Sequence, residues 1–244
     1  MKTLLVVMMA SLLLVSAARA DFTDNFDGTA LNTTVWTPYT AGTYSVSGGQ
    51  LTAQLSTGAY ANPLTFNLIT MAAPVGDFTA TMKCNLGATA GQLPQIGIGL
   101  FSDDHQSLVM NAEECDFYHW GEFAGYQYGT ITAEGTVTGP NFPYSLVRVS
   151  TGKANTNAPI YLQISRSGDV YTLSSSLDGS TFATDWTGTY TGTGALTQLG
   201  MSFFGSNATA QNGMVDSFTV TPEPATMSLL VIGGVALLRK GRKA

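Results

Sequence analysis

The chain has 244 residues, 44% of them apolar and only 11% charged, with 27 glycines. That composition excludes a charge-rich disordered chain, and it lacks the Ala/Glu/Lys/Leu richness of a helical bundle or coiled coil. The net charge of −6 hides an asymmetry: residues 21–221 carry fifteen acids against four bases (Lys83, Arg148, Lys153, Arg166), and a body near −11 repels phosphate backbones, which excludes nucleic acid as a partner.

Lys2, the apolar run Leu4 to Val15 and the small-residue site Ala18-Arg19-Ala20 are the parts of a secretory signal peptide. Cleavage after Ala20 leaves Asp21 as the mature N-terminus, so residues 1–20 form the first unit. Twelve apolar residues are too few to span about 30 Å of hydrocarbon.

Residues 21–221 show no helical period sustained over ten residues; they alternate. Phe78, Ala80, Met82, Cys84 and Leu86 share one face of a predicted strand, and Ile96, Ile98 and Leu100 oppose Gly97 and Gly99 in the next. Ile160, Leu162 and Ile164 repeat the pattern, as do Leu199, Met201 and Phe203. Turns are marked by Ser47-Gly48-Gly49, Ser167-Gly168-Asp169 and Leu177-Asp178-Gly179-Ser180, all tolerant of positive φ. Many short strands joined by such turns predict an all-β sandwich or barrel, and about 200 residues can bury one such core without disulfides.

Asp24-Asn25-Phe26-Asp27-Gly28 with Leu31 and Trp36 resembles the first strand of bacterial concanavalin A-like (laminin-G-like) modules. The hairpin over 160–182, with Ser176-Leu177-Asp178-Gly179-Ser180-Thr181-Phe182, resembles their late hairpin, and Val215-Asp216-Ser217-Phe218-Thr219-Val220 their last strand. These matches cover both ends of the domain; the centre, 100–158, fits the pattern poorly. The resemblance implies a two-sheet antiparallel jelly roll. Such modules are often sugar-binding, sometimes catalytic and often structural, so the fold does not fix the function.

The C-terminus carries Pro222-Glu223-Pro224, an apolar stretch Ala225 to Leu238, expected as a short hydrophobic helix, and the basic cluster Arg239, Lys240, Arg242, Lys243. A stretch of fourteen residues is short for a permanent span, and the cluster would stay cytoplasmic by the positive-inside rule. The three parts in this order resemble the PEP-CTERM sorting signal of Gram-negative bacteria, over 222–244. That resemblance implies processing by an exosortase, only transient membrane contact through the segment, and a mature product at the cell surface or in the extracellular matrix.

Few residues suit chemistry. No Gly-x-Ser-x-Gly elbow occurs. His105 and His119 lack zinc-site spacing, and His105 reads as a solvated residue of the polar turn 102–106. Glycoside hydrolysis needs two facing carboxylates. The stretch 113–119 offers Glu114 and Asp116, similar to the Glu-x-Asp strand of laminarinase-type glucanases. Tyr118 and His119 stand where that pattern has its second glutamate, and Glu122 lies too far along. The expectation is therefore no catalysis, with a glucanase-like hydrolase as the alternative.

The same stretch reads better as a binding face. Six of the 25 aromatic residues fall within 117–128, and in an extended chain Glu114, Asp116, Tyr118, Trp120 and Glu122 share one side. With Tyr126 and Tyr128 they form a candidate carbohydrate site, in which rings stack on sugar C–H faces beside hydrogen-bonding carboxylates. The competing assignment is core, which suits Phe117 and Phe123.

Asp216 shares a phase with Met214, Phe218 and Val220, so it would need a partner on a core face. The concanavalin-like resemblance implies a structural calcium joining first and last strands, with Asp27 and Asp216 as ligands. A turn aspartate and a bulge or hydrogen-bonded aspartate are the alternative, and no other cofactor is expected. Cys84 and Cys115, both on apolar phases, allow one disulfide in an exported chain or two buried thiols. Together these readings expect an exported surface sandwich that contacts matrix polysaccharide, or serves there structurally.

Overall fold

A computed structural model describes residues 21–39, 42–55, 67–86, 95–105, 108–114, 123–131, 148–155, 159–190, 194–204 and 212–223. The expected signal peptide and C-terminal helix lie outside these residues.

All regular elements among the described residues are strands, paired antiparallel into two sheets. Sheet A runs in the order β13 (Ala183–Thr189), β12 (Val170–Ser176), β11 (Ile160–Ser167), β6 (Phe78–Asn85), β15 (Asn212–Pro222), β4 (Leu51–Gln54), β3 (Tyr44–Val46), and β1 (Phe22–Asp24) also pairs with β15. Sheet B runs β10 (Arg148–Asn155), β9 (Phe123–Ile131), β8 (Leu108–Glu114), β7 (Gln95–Ser102), β14 (Leu196–Phe204), β5 (Asn67–Ala72), β2 (Thr37–Tyr39). The predicted two-sheet antiparallel sandwich is the observed architecture.

Alternation in sequence becomes burial in space. In β6 every second residue from Phe78 to Cys84 is buried, and β11 buries Ile160, Leu162 and Ile164 in the same way. These side chains meet Ile96, Ile98, Leu100, Leu199, Met201 and Phe203 of sheet B in one continuous core. The turn signals also hold: Gly48, Gly49, Gly168 and Gly179 all have positive φ. At the last of these turns the Asp178 carboxylate accepts from the Ser180 and Thr181 amides, each at 2.8 Å, and from the Ser176 hydroxyl, which holds its pKa below the ordinary carboxylate range.

The two chain ends meet on β15. One edge of that strand is covered in halves: Asn212–Val215 pair with β4, and Phe218–Val220 pair with β1. Beside them Trp36 is fully buried, edge-on to Phe218 at a centroid distance of 5.1 Å and to Phe22 at 5.9 Å. A buried indole N–H needs an acceptor. Asp24 supplies it at 2.8 Å, while its other oxygen takes the Phe26 amide at 2.8 Å and supports the positive φ of Phe26. The motif around Asp24 is thus a local clamp on an aromatic cluster.

Among the described residues, the central strands β5, β7, β8 and β14 of sheet B are buried on both faces. Gly97, Gly99 and Gly200 lie on the side away from the core, where a Cβ on Gly97 would meet the Met110 sulfur and Ser202 hydroxyl at 2.9 Å, and one on Gly99 the Phe101 ring at 3.0 Å. Leu68, Phe101, Leu108, Met110 and Ala112 form a second buried cluster there.

Two stability outcomes follow. Asp24→Ala should cost about 1–3 kcal/mol in denaturant titrations, because it strands a buried indole donor. Gly200→Ala should cost at least about 1–3 kcal/mol by overpacking, since its Cβ would fall 2.3 Å from the backbone oxygen of Ile69, which cannot step aside as a side chain can.

Candidate functional site

Three of the candidate binding positions fall within the described strands of sheet B. Glu114 ends β8, paired with Gln95 of β7. Tyr126 and Tyr128 of β9 stand in register with Ala112 and Met110 of β8, two and four residues before Glu114, so the backbone brings these three positions to one face. In β10, Ser150 and Arg148 continue the two rows. Asp116, Tyr118, Trp120 and Glu122 lie outside the described residues.

On the outer side of sheet B the structure adds Tyr39 and corrects the reading of His105. Tyr39 of β2 is exposed, and its ring meets the His105 imidazole edge-on at 4.2 Å. His105 was expected to be solvated in its turn; it sits in that turn, with φ 55°, but is buried to 7% exposure. The correction has a non-local cause, because the ring that packs on it arrives from β2. Burial lowers the His105 pKa below the ordinary imidazole range, and Asp104 and Asp103 only partly oppose it. Asp103 is itself held below the carboxylate range by the Thr197 hydroxyl and by the Gln198 amide at 3.1 Å.

Between the sheets, Asn111 is fully buried and donates through Nδ2 to the carbonyls of Ser174, at 2.7 Å, and Gln163, at 3.3 Å. Its Oδ1 has no hydrogen-bond partner. One amide thereby links β8 to β11 and β12 across the core. The apolar phase of β8 gave no sign of it.

Asp216 differs from expectation. A β-bulge between Val215 and Ser217 shifts the phase of β15, so Val215 and Phe218 are buried and Asp216 turns outward. There it pairs with Lys83 at 2.9 Å and accepts the Gln50 amide at 2.8 Å. The bond to Asp216 raises the Lys83 pKa against the effect of burial. Asp27 is exposed, with Oδ1 3.5 Å from where a Cβ on Gly49 would be. Among the described residues no group of three or more His, Cys, Asp or Glu side chains is set to hold a metal. Cys84 is fully buried on β6; Cys115 lies outside the described residues.

At the domain's ends, a largely apolar cleft of about 380 Å³ is lined by Asp21, Phe22, Val35, Met71, Val220 and Pro222, among others. Glu223 continues the sheet: its amide donates to the Asp77 carbonyl at 3.0 Å and its carboxylate accepts the Thr79 hydroxyl at 3.4 Å. Ala20, Pro224, Arg239, Lys240, Arg242 and Lys243 are outside the described residues.

No protein-family model and no curated protein matches the chain. Solved structures do. A GH43 glycoside hydrolase engineered to display both endo-xylanase and exo-arabinofuranosidase activity superposes with TM-score 0.64 at 16% identity, over 83% of this chain and 40% of that one. The GH43B protein of the Bacteroides ovatus xyloglucan locus gives 0.62 at 15% identity, over 82% and 39%. A chain described with endo-acting O-glycanases of the human gut microbiota that initiate mucin breakdown gives 0.57 at 12% identity, over 82% of this chain and 98% of its own. The chain thus spans about two fifths of the GH43 chains, and at these identities the likeness is one of fold. Against the expectation of a protein without catalysis, solved structures that share this fold are described as GH43 proteins, one of them a glycoside hydrolase.

His105 provides a pH test. Its neutral ring is favoured in the fold, so below its ordinary pKa of about 6.5 the unfolded chain binds a proton that the folded chain refuses. Stability should therefore fall as pH drops below that value, and His105→Gln should flatten the fall, read as the denaturation midpoint against pH.

Proposed function

We propose that this sandwich serves glycan processing outside the cytoplasm, with glycosidic hydrolysis as its reaction and a polysaccharide held by the stretch 114–128. The fold shared with GH43 proteins over more than four fifths of the chain carries this reading. Glu114 and Asp116 are the carboxylates proposed for the acid and base roles that such hydrolysis requires. Tyr118, Trp120, Tyr126 and Tyr128 are proposed to stack on sugar rings, and Glu122 to bond hydroxyls. The terminal segments support the location: Lys2 to Ala20 reads as an export signal, and Pro222 to Lys243 as a tail for exosortase sorting to the surface of a Gram-negative cell. No metal is assigned a part in the reaction, and Asp216, whose two oxygens are taken by Lys83 and Gln50, is not proposed as a calcium ligand.

The test is reducing-sugar release from xylan, xyloglucan and mucin O-glycans. Wild type should release sugar from at least one, and Glu114→Gln should lower the rate by about 10²–10⁴-fold, the usual contribution of a general acid or base, at unchanged melting temperature. Absence of release from all three would overturn the reading. Intact-mass spectrometry gives a separate check on export: the extracellular form should start at Asp21 and lack Arg239 to Lys243. A retained basic tail would rule out the proposed sorting.

A further inference from the structure

The outward face of sheet A is a carpet of hydroxyl groups. Cross-strand register aligns them in rows perpendicular to the strands. Thr221, Thr79, Ser165, Thr172 and Thr187 form one row over five neighbouring strands, β15, β6, β11, β12 and β13. Thr23, Thr219, Thr81 and Gln163 form the next, over β1, β15, β6 and β11. Neighbours within a row bond to each other: Thr79 to Ser165 at 2.9 Å, Thr172 to Thr187 at 3.3 Å, Gln163 to Thr81 at 3.1 Å and Thr23 to Thr219 at 3.4 Å. The residues of the two rows are half-buried or exposed. A third row, Ser217, Lys83 and Tyr161, brings a cation, and the Asp216 contact neutralises it. On a chain of net charge −6, the side chains of these three rows carry no unbalanced charge of their own, and the Glu223 carboxylate meets them at Thr79.

We infer that this face is a second binding surface, for an insoluble neutral polysaccharide. Three observations support that partner. The rows carry no net charge, which gives a polyanion or polycation no purchase. They offer no broad apolar patch for a protein interface, Tyr161 being the one large ring in the three rows. Each hydroxyl has one donor and two acceptor sites, so bonding along a row leaves capacity directed at solvent, matching the mixed donor and acceptor character of sugar hydroxyls. A single hydroxyl contact competes poorly with water. Neighbouring strands set the groups about 4.8 Å apart, and a rigid array can engage a solid polymer at many points at once, where weak contacts multiply. A short soluble oligosaccharide cannot do so. The surface lies on the opposite sheet from the proposed hydrolytic site and does not depend on it.

The experiment is sedimentation of the full chain with insoluble xylan. Wild type should co-sediment, undiminished by about 1 M sodium chloride, at which the screening length is about 3 Å. The isosteric triple variant Thr81→Val/Thr172→Val/Thr219→Val, which keeps β-branched packing and removes three hydroxyls, should lose binding by about tenfold or more. Thr187→Lys/Thr221→Lys, at two exposed positions, should do the same and serves if the valine variant fails to fold. Sugar release from soluble substrate should be equal to wild type in both variants, which separates this surface from the hydrolytic site. Wild type remaining in the supernatant, binding lost in salt, or both variants sedimenting like wild type would each overturn the inference.

Discussion

The carboxylate of Asp24 is the point on which the sandwich closes. It accepts the Trp36 indole and the Phe26 amide, each at 2.8 Å, fixing a fully buried ring against Phe218 of the last strand. Hydrophobic burial alone would leave that indole donor unsatisfied, at a cost comparable to a lost hydrogen bond. With it satisfied, the first strand can lie along β15, whose other edge is held by β6 at the centre of sheet A. The non-local β pairings therefore converge on a contact made within thirteen residues of sequence.

Much of this was legible in the chain. Period-2 alternation in β6, β7, β11 and β14 named the core residues, and the glycine turns named the hairpins. What was not legible has physical causes. A bulge inserts one residue and inverts every later phase, so Asp216 read as inward when Val215 takes that place. His105 read as solvated because the Tyr39 ring on it comes from a distant strand. Asn111 gave no signal in the sequence, because its role is set by carbonyls of the opposite sheet. Within the candidate site, alternation put Glu114 on one side with Asp116 to Glu122, but it could not supply the strand register that sets Tyr126 and Tyr128 opposite Ala112 and Met110.

The two sheets are unlike on their outer sides, and this bears on function. Sheet B buries a second apolar cluster and makes room for it with glycines; sheet A turns hydroxyls to water. Absence of a second glutamate at the glucanase spacing argued against catalysis, and the fold itself is one that GH43 proteins also contain. A motif tests one arrangement of carboxylates, whereas a β-sandwich can present acids from several strands to one face.

The bond from the Glu223 amide to the Asp77 carbonyl has a consequence for any peptidase that approaches this end of the domain. Peptidases hold their substrates extended, with backbone groups free to bond the enzyme. Glu223 has already committed its amide to the sheet, and β15 before it is zipped to β6 through Pro222. Cutting at or before this residue therefore requires the strand end to fray first, and the rate of such a cut would be set by that local opening.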